Sequence, residues 1–174
     1  MKMLFCSIQS CRGIKSLRGF TLVEMMVVIA IAAILLGIAV PTFNDAVLSG
    51  KLRSYANDLV ASLHQARSEA IKRNAPVTLC VSTGGTSCEA GNWDQGWIML
   101  SGTTVIRRQA AIEGGFRISG SIGSVEFQPA GLASVAAIFT VCRATPTVGR
   151  EERVVSLIAS GRVTTDKTNR SECS

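Results

Sequence analysis

The sequence predicts an α+β fold: a long N-terminal helix followed by a small antiparallel β-sheet head. Three observations carry that prediction. Residues Phe20 to Val40 form an apolar run with a single charge, Glu24. Apolar residues then recur at spacings of three and four as far as Ala70. Beyond Pro76 the rhythm changes to short β-like runs separated by turn residues.

The 21 residues from 20 to 40 make a helix of roughly 31 Å at about 1.5 Å per residue, enough to cross the hydrocarbon core of a bilayer. Lys2, Arg12, Lys15 and Arg18 precede the run, and no acid occurs among residues 1–19. That excess of positive charge keeps the leader cytoplasmic and sends Pro41 onward outward, giving a single-pass inner-membrane protein with its head in the periplasm. A secretory signal peptide has a shorter apolar region followed by a small-residue cleavage site. Here the small residue, Gly19, precedes the run. A plain anchor has little use for Glu24, because a carboxylate near the centre of a spanning helix costs about 2.5 to 3.5 kcal/mol on insertion scales and less near an end. Glu24 therefore marks a functional position.

After Pro41, Leu52, Tyr55, Ala56, Leu59, Leu63, Ala66 and Ala70 form one apolar stripe. Lys51, Arg53, Asn57, Gln65, Arg67, Ser68, Lys72 and Arg73 fall on the other, wet face. Pro76 is expected to end this helix, since the residue before a proline is pushed out of the helical region. Pro41 is expected to bend the junction, with Gly37 softening it. Strands follow at Val77 to Ser82, Trp97 to Leu100, Thr104 to Arg108, Phe116 to Ile118, Val125 to Phe127, Ile138 to Cys142, Arg153 to Ile158 and Arg162 to Thr164. The organisation is thus a leader over 1–19, a spanning helix over 20–40, an amphipathic continuation over 41–76 and a β-rich head over 77–174. A globular part of about 130 residues is large enough for one core and too small for two.

The segment Gly19-Phe20-Thr21-Leu22-Val23-Glu24, behind its basic leader, resembles the class III signal of type IV pilins and type II secretion pseudopilins. The resemblance implies that a prepilin peptidase cuts after Gly19 and that Phe20 becomes an N-methylated new N-terminus. The helix stays in place, and the mature chain has 155 residues, 174 less the 19 of the leader. Glu24, at the fifth mature position, then pairs with a Phe20 α-amino group in a filament core, its own or a neighbour's, which offsets the desolvation of both charges.

Loss of the leader removes four of 18 basic residues and none of 12 acidic ones, so the formal charge falls from +6 to +2. A mildly basic surface of this kind is ordinary solvation, not by itself a sign of nucleic acid. Cys6 and Cys11 leave with the leader, while Cys80, Cys88, Cys142 and Cys173 remain where disulfides form. Four cysteines allow three connectivities, and the sequence alone does not choose among them. The turn-rich stretch Val81 to Ser87 makes closure of Cys80 on Cys88 easy, which leaves Cys142 for Cys173. Zinc is disfavoured, because the only histidine is His64 and no C-x-x-C occurs.

No catalytic constellation stands out, so no enzyme activity, cofactor or metal is expected. His64 sits within a helical pattern and reads as a surface or packing residue. Ser82-Thr83-Gly84-Gly85 lacks the Lys-Ser/Thr ending and following helix of a phosphate loop. Trp93 and Trp97 could stack on a ligand, but one of them reads as an anchor for the sheet.

The downstream half resembles the GspH/FimT group of minor pilins and minor pseudopilins. The residues that carry the resemblance are Gln65-Ala66-Arg67-Ser68-Glu69-Ala70, Cys80, Trp93-Asp94-Gln95-Gly96-Trp97 and Ser160-Gly161-Arg162-Val163. It implies a pilin fold and a structural subunit that assembles with other pilins or pseudopilins in a type IV pilus or a type II secretion pseudopilus. The alternative is a DNA-binding minor pilin that takes up double-stranded DNA in natural transformation. FimT-type DNA receptors carry Gly-Arg-x-Arg in this tail. Here Gly161 and Arg162 match but Thr164 replaces the second arginine, removing one phosphate contact. Arg162, Lys167 and Arg170 are the candidate DNA contacts.

Overall fold

The computed structural model describes residues 19–145, 151–169 and 173, without the side chains of residues 38–42. Apart from Gly19, the leader lies outside these residues. The chain forms two compact units, one ending at Phe43 and the other beginning at Asn44.

Helix α1, Leu22–Arg73, runs through Gly37 and Pro41 without a break in its bounds. The side chain at the expected bend, Pro41, is outside the description. The helix stops earlier than Pro76. Asn74 takes a left-handed φ of 49°, and the amides of Asn74 and Ala75 return to the carbonyls of Ile71 and Ala70, both at 3.3 Å. This is a Schellman arrangement with asparagine at the left-handed position, and Pro76 lies just beyond it.

In the second unit the stripe Leu52, Ala56, Leu59, Leu63, Ala66 and Ala70 is buried. Tyr55 packs edge-on to Phe116 with ring centroids 5.1 Å apart. The eight strands are β1 (Val77–Val81), β2 (Gly96–Ser101), β3 (Thr104–Ala110), β4 (Phe116–Gly120), β5 (Ser124–Phe127), β6 (Ala137–Arg143), β7 (Glu152–Leu157) and β8 (Val163–Thr168). They form two four-stranded sheets, β3-β2-β1-β5 and β4-β6-β7-β8, antiparallel throughout. The sequence reading of one small sheet is corrected here. The division arises because β4 passes over its neighbour β5 to pair with β6, and β5 pairs with β1, a non-local choice that strand periodicity does not encode.

Both sheets and the helix stripe share one core. Leu79, Trp97, Met99 and Phe127 enter it from the first sheet, and Phe116, Ile118, Phe139, Val141 and Leu157 from the second. Burial of this kind, at about 25 cal/mol per Å² of apolar surface, is the main stabilising contribution to such a head.

Candidate functional site

The helix start is built by Thr21. Its hydroxyl accepts the Glu24 amide at 3.2 Å, and its carbonyl accepts the Met25 amide at 3.1 Å. Thr21 is therefore the N-cap, and Glu24 stands in the first turn, where a carboxylate faces the positive end of the helix. Gly19 and Phe20 precede the cap, and Phe20 is exposed. Every large apolar side chain from Phe20 to Leu36 is exposed, including Leu22 at 76 % and Leu36 at 61 %. A helix apolar on all sides requires a bilayer or other helices around it. Among the described residues no helix is long and apolar enough to cross a membrane. The span expected over 20–40 includes residues 38–40, whose side chains lie outside the description.

The two tryptophans are both anchors, and neither is free to stack on a ligand, which corrects the division of roles expected for them. Trp93, on a 3-10 turn over Trp93–Gln95, donates from Nε1 to the Ile122 carbonyl at 2.7 Å. Trp97 donates to Ser62 Oγ at 3.0 Å, and that hydroxyl donates to the Asp58 carbonyl at 2.8 Å. Both rings are buried.

The glycine-rich loop after β1 is closed by the disulfide Cys80–Cys88. Its amides are occupied from within. The Glu89 carboxylate accepts the Thr83 amide at 3.1 Å, the Gly84 amide at 3.4 Å and the Thr83 hydroxyl. These bonds, the Thr83 hydroxyl's first, hold the Glu89 carboxyl below the usual carboxylate range. A phosphate would find those donors taken.

Three segments far apart in sequence meet at Arg67. This side chain, assigned from its spacing to the wet face, is half-buried and donates from Nη1 to the Gly161 carbonyl at 3.2 Å. Gly131 and Gly161 have left-handed φ angles of 76° and 75°. A Cβ on Gly161 would lie 2.3 Å from the Gly131 carbonyl oxygen, and one on Gly131 would lie 3.1 Å from Arg67 Nε and 3.0 Å from Ile71 Cδ1. The helix end, the turn leaving β5 and the β7–β8 turn are thus fixed to one another. Sequence reasoning singled out Arg67 and Gly161 in separate motifs; nothing in their spacing said that they touch.

The candidate DNA contacts are not brought together. Arg162 is exposed in the β7–β8 turn. Lys167 lies five residues further along β8, about 17 Å away at roughly 3.3 Å per residue, and its ammonium is ion-paired with Glu151 at 2.6 Å. Arg170 lies outside the described residues. Cys142, buried on β6, bonds to Cys173 beyond β8, so the tail is tied back across β7. His64 is exposed on α1, and among the described residues no group of His, Cys, Asp and Glu could hold a metal ion.

The profile of the family described as "Type II transport protein GspH" matches residues 55–161, and that of the "Prokaryotic N-terminal methylation motif" matches residues 14–40. The chain is 43 % identical over 68 residues to the Pilin-like protein PilA1 of Thermus thermophilus, covering 39 % of this chain and spanning only 42 % of that relative. Among solved structures, the type IV minor pilin FimU of Pseudomonas aeruginosa superposes with a TM-score of 0.55 at 20 % identity, over 68 % of this chain and 90 % of that one. The minor pseudopilin EpsH of the Vibrio cholerae type 2 secretion system superposes with a TM-score of 0.51 at 11 % identity, over 67 % and 96 %. At these identities the superpositions establish the fold: a helix followed by antiparallel sheets, as in pilins.

Proposed function

This chain belongs to the GspH family of type II transport proteins, and from that membership we propose that it is a minor pilin or minor pseudopilin, a structural subunit of a type IV pilus or a type II secretion pseudopilus. The observation that carries the proposal is the exposure of every large apolar side chain from Phe20 to Leu36, ahead of a head that has its own core. That helix packs among the helices of neighbouring subunits and the head faces outward. The N-terminal methylation motif implies a membrane-anchored, pilus-associated protein.

In this reading a prepilin peptidase removes residues 1–19 and Phe20 is N-methylated. The helix over 20–40 holds the protein in the inner membrane, and the head enters the periplasm, a compartment in keeping with two disulfides. Glu24 pairs with the Phe20 amine of its own or a neighbouring chain. The separation of Arg162 from Lys167 gives no support to DNA uptake.

Mass spectrometry of the protein from cells with active prepilin peptidase is expected to find a chain starting at N-methylated Phe20. Glu24→Ala should remain in the inner-membrane fraction, since removing a charge eases insertion, yet drop out of sheared filaments. A mature species starting near Pro41, or wild-type incorporation of the variant, would overturn the reading.

A further inference from the structure

The unit beginning at Asn44 carries six exposed large apolar side chains among its described residues, and five of them lie at one end: Ile71, Leu132, Val135, Ile138 and Ile158. The geometry links them. A Cβ on Gly131 would press on Ile71, and Leu132 follows Gly131. The Ala133 amide bonds to the Ala159 carbonyl at 2.9 Å, beside Ile158. The pairing of Ala137 with Leu157 sets Ile138 diagonally from Ile158 on the outer side of the second sheet. Scattered apolar residues are normal on a surface, whereas a grouped and rimmed set marks an interface.

The rim is basic. Arg67, whose Nε lies against the Gly131 and Gly161 turns, Arg162, which follows Gly161, and Lys72, which follows Ile71, border the patch, against Glu69 and Glu126. Glu69 is already paired with Arg73 at 2.7 Å, and Glu126 accepts from Gln128 Nε2 at 2.6 Å. An isologous contact between two copies would set this rim against itself.

We propose that this end of the head, centred on Leu132 and Ile158, docks a different pilin-type subunit whose head presents an apolar centre framed by carboxylates. The inference rests on the assembly reading above and adds to it a face and the chemistry of the partner. The Arg67 junction holds the two glycine turns, and so Leu132 and Ile158, in a fixed relation. A preformed apolar face of this kind is bound without the cost of ordering loops.

The test is site-specific photo-crosslinking of the full-length protein in its native cells, with p-benzoylphenylalanine at Leu132, Ile158 and, as a reference on the apolar helix, Ile31. Thr104, exposed on β3, is the negative control. The expected result is an adduct from Leu132 and Ile158 to the head of another chain that bears its own N-terminal methylation motif, with Asp or Glu flanking the linked peptide. Arg162→Glu should lower that adduct about tenfold and Arg162→Lys should retain it, because the rim acts through charge. Adducts of twice the protein's own mass, adducts to nucleic acid, or none at Leu132 and Ile158 while Ile31 still links to other subunits would overturn this face and leave the assembly reading intact. Failure at Ile31 as well would overturn both.

Discussion

A methyl group at Gly161 has nowhere to go. The residue sits at φ 75°, and the carbonyl oxygen that an added Cβ would meet at 2.3 Å belongs to the backbone of Gly131, so no side-chain rotation relieves the contact. Gly161→Ala is expected to cost about 1 to 3 kcal/mol from the left-handed conformation alone, and more from the clash. Gly114, with nothing within 4 Å of its Cβ position, is the control. Its alanine variant should differ little from the parent in a denaturant titration. Glycine at 161 was legible as part of a short motif, and Arg67 as one member of a helical face. Their meeting was not legible, because it depends on two sheets arriving at the same helix end. The tryptophans were hidden in the same way: their partners, Ser62 and the Ile122 carbonyl, come from other elements.

The strands themselves were readable at the scale of elements, since apolar runs bounded by turn residues fall where β1 to β8 lie. Their division into two sheets was hidden in the pairing of β4 with β6 and of β1 with β5. The helix stop was placed too late because asparagine at 74 was competent to end it before Pro76 acted. Strand β8 packs little of its own: Val163 and Thr168 are half-buried and the residues between them are exposed. Its hold therefore depends on Cys173. Replacing Cys142 and Cys173 together by serine is expected to lower the unfolding free energy by about 2 to 4 kcal/mol, read by denaturant titration of the purified protein. The Cys80–Cys88 bridge closes a shorter loop, eight residues against 31, so the same change there should cost less.

For the whole molecule, acid is the condition that searches out its surface. Glu69, Glu89, Glu113 and Glu151 all have carboxyls held below the ordinary value of 4.5 or so, through hydrogen bonds from Arg73, Thr83, Lys51 and Lys167 respectively. In each case the unfolded chain takes up its proton at higher pH than the folded one, so the stabilisation is present above 4.5 and is lost as pH falls through the depressed values. The midpoint of thermal unfolding should be level from neutrality down to that point and fall below it. Salt should reduce the share due to the three ion pairs, while the Glu89 share, which rests on a hydroxyl and two amides, should survive salt and vanish in Glu89→Gln. The tail bridge has a mechanical consequence as well. Under tension between its two ends, the chain between Cys142 and Cys173, 31 residues apart, stays slack inside a covalent ring. At about 3.3 to 3.6 Å per extended residue, that ring withholds about 100 to 110 Å of contour length. An optical-tweezers trace of the variant with Cys142 and Cys173 both replaced by serine should lengthen by that amount over one of the parent, both taken without reductant so that the Cys80–Cys88 bridge stays closed. A subunit pulled along a filament would thus meet a covalent stop well before its chain is drawn straight.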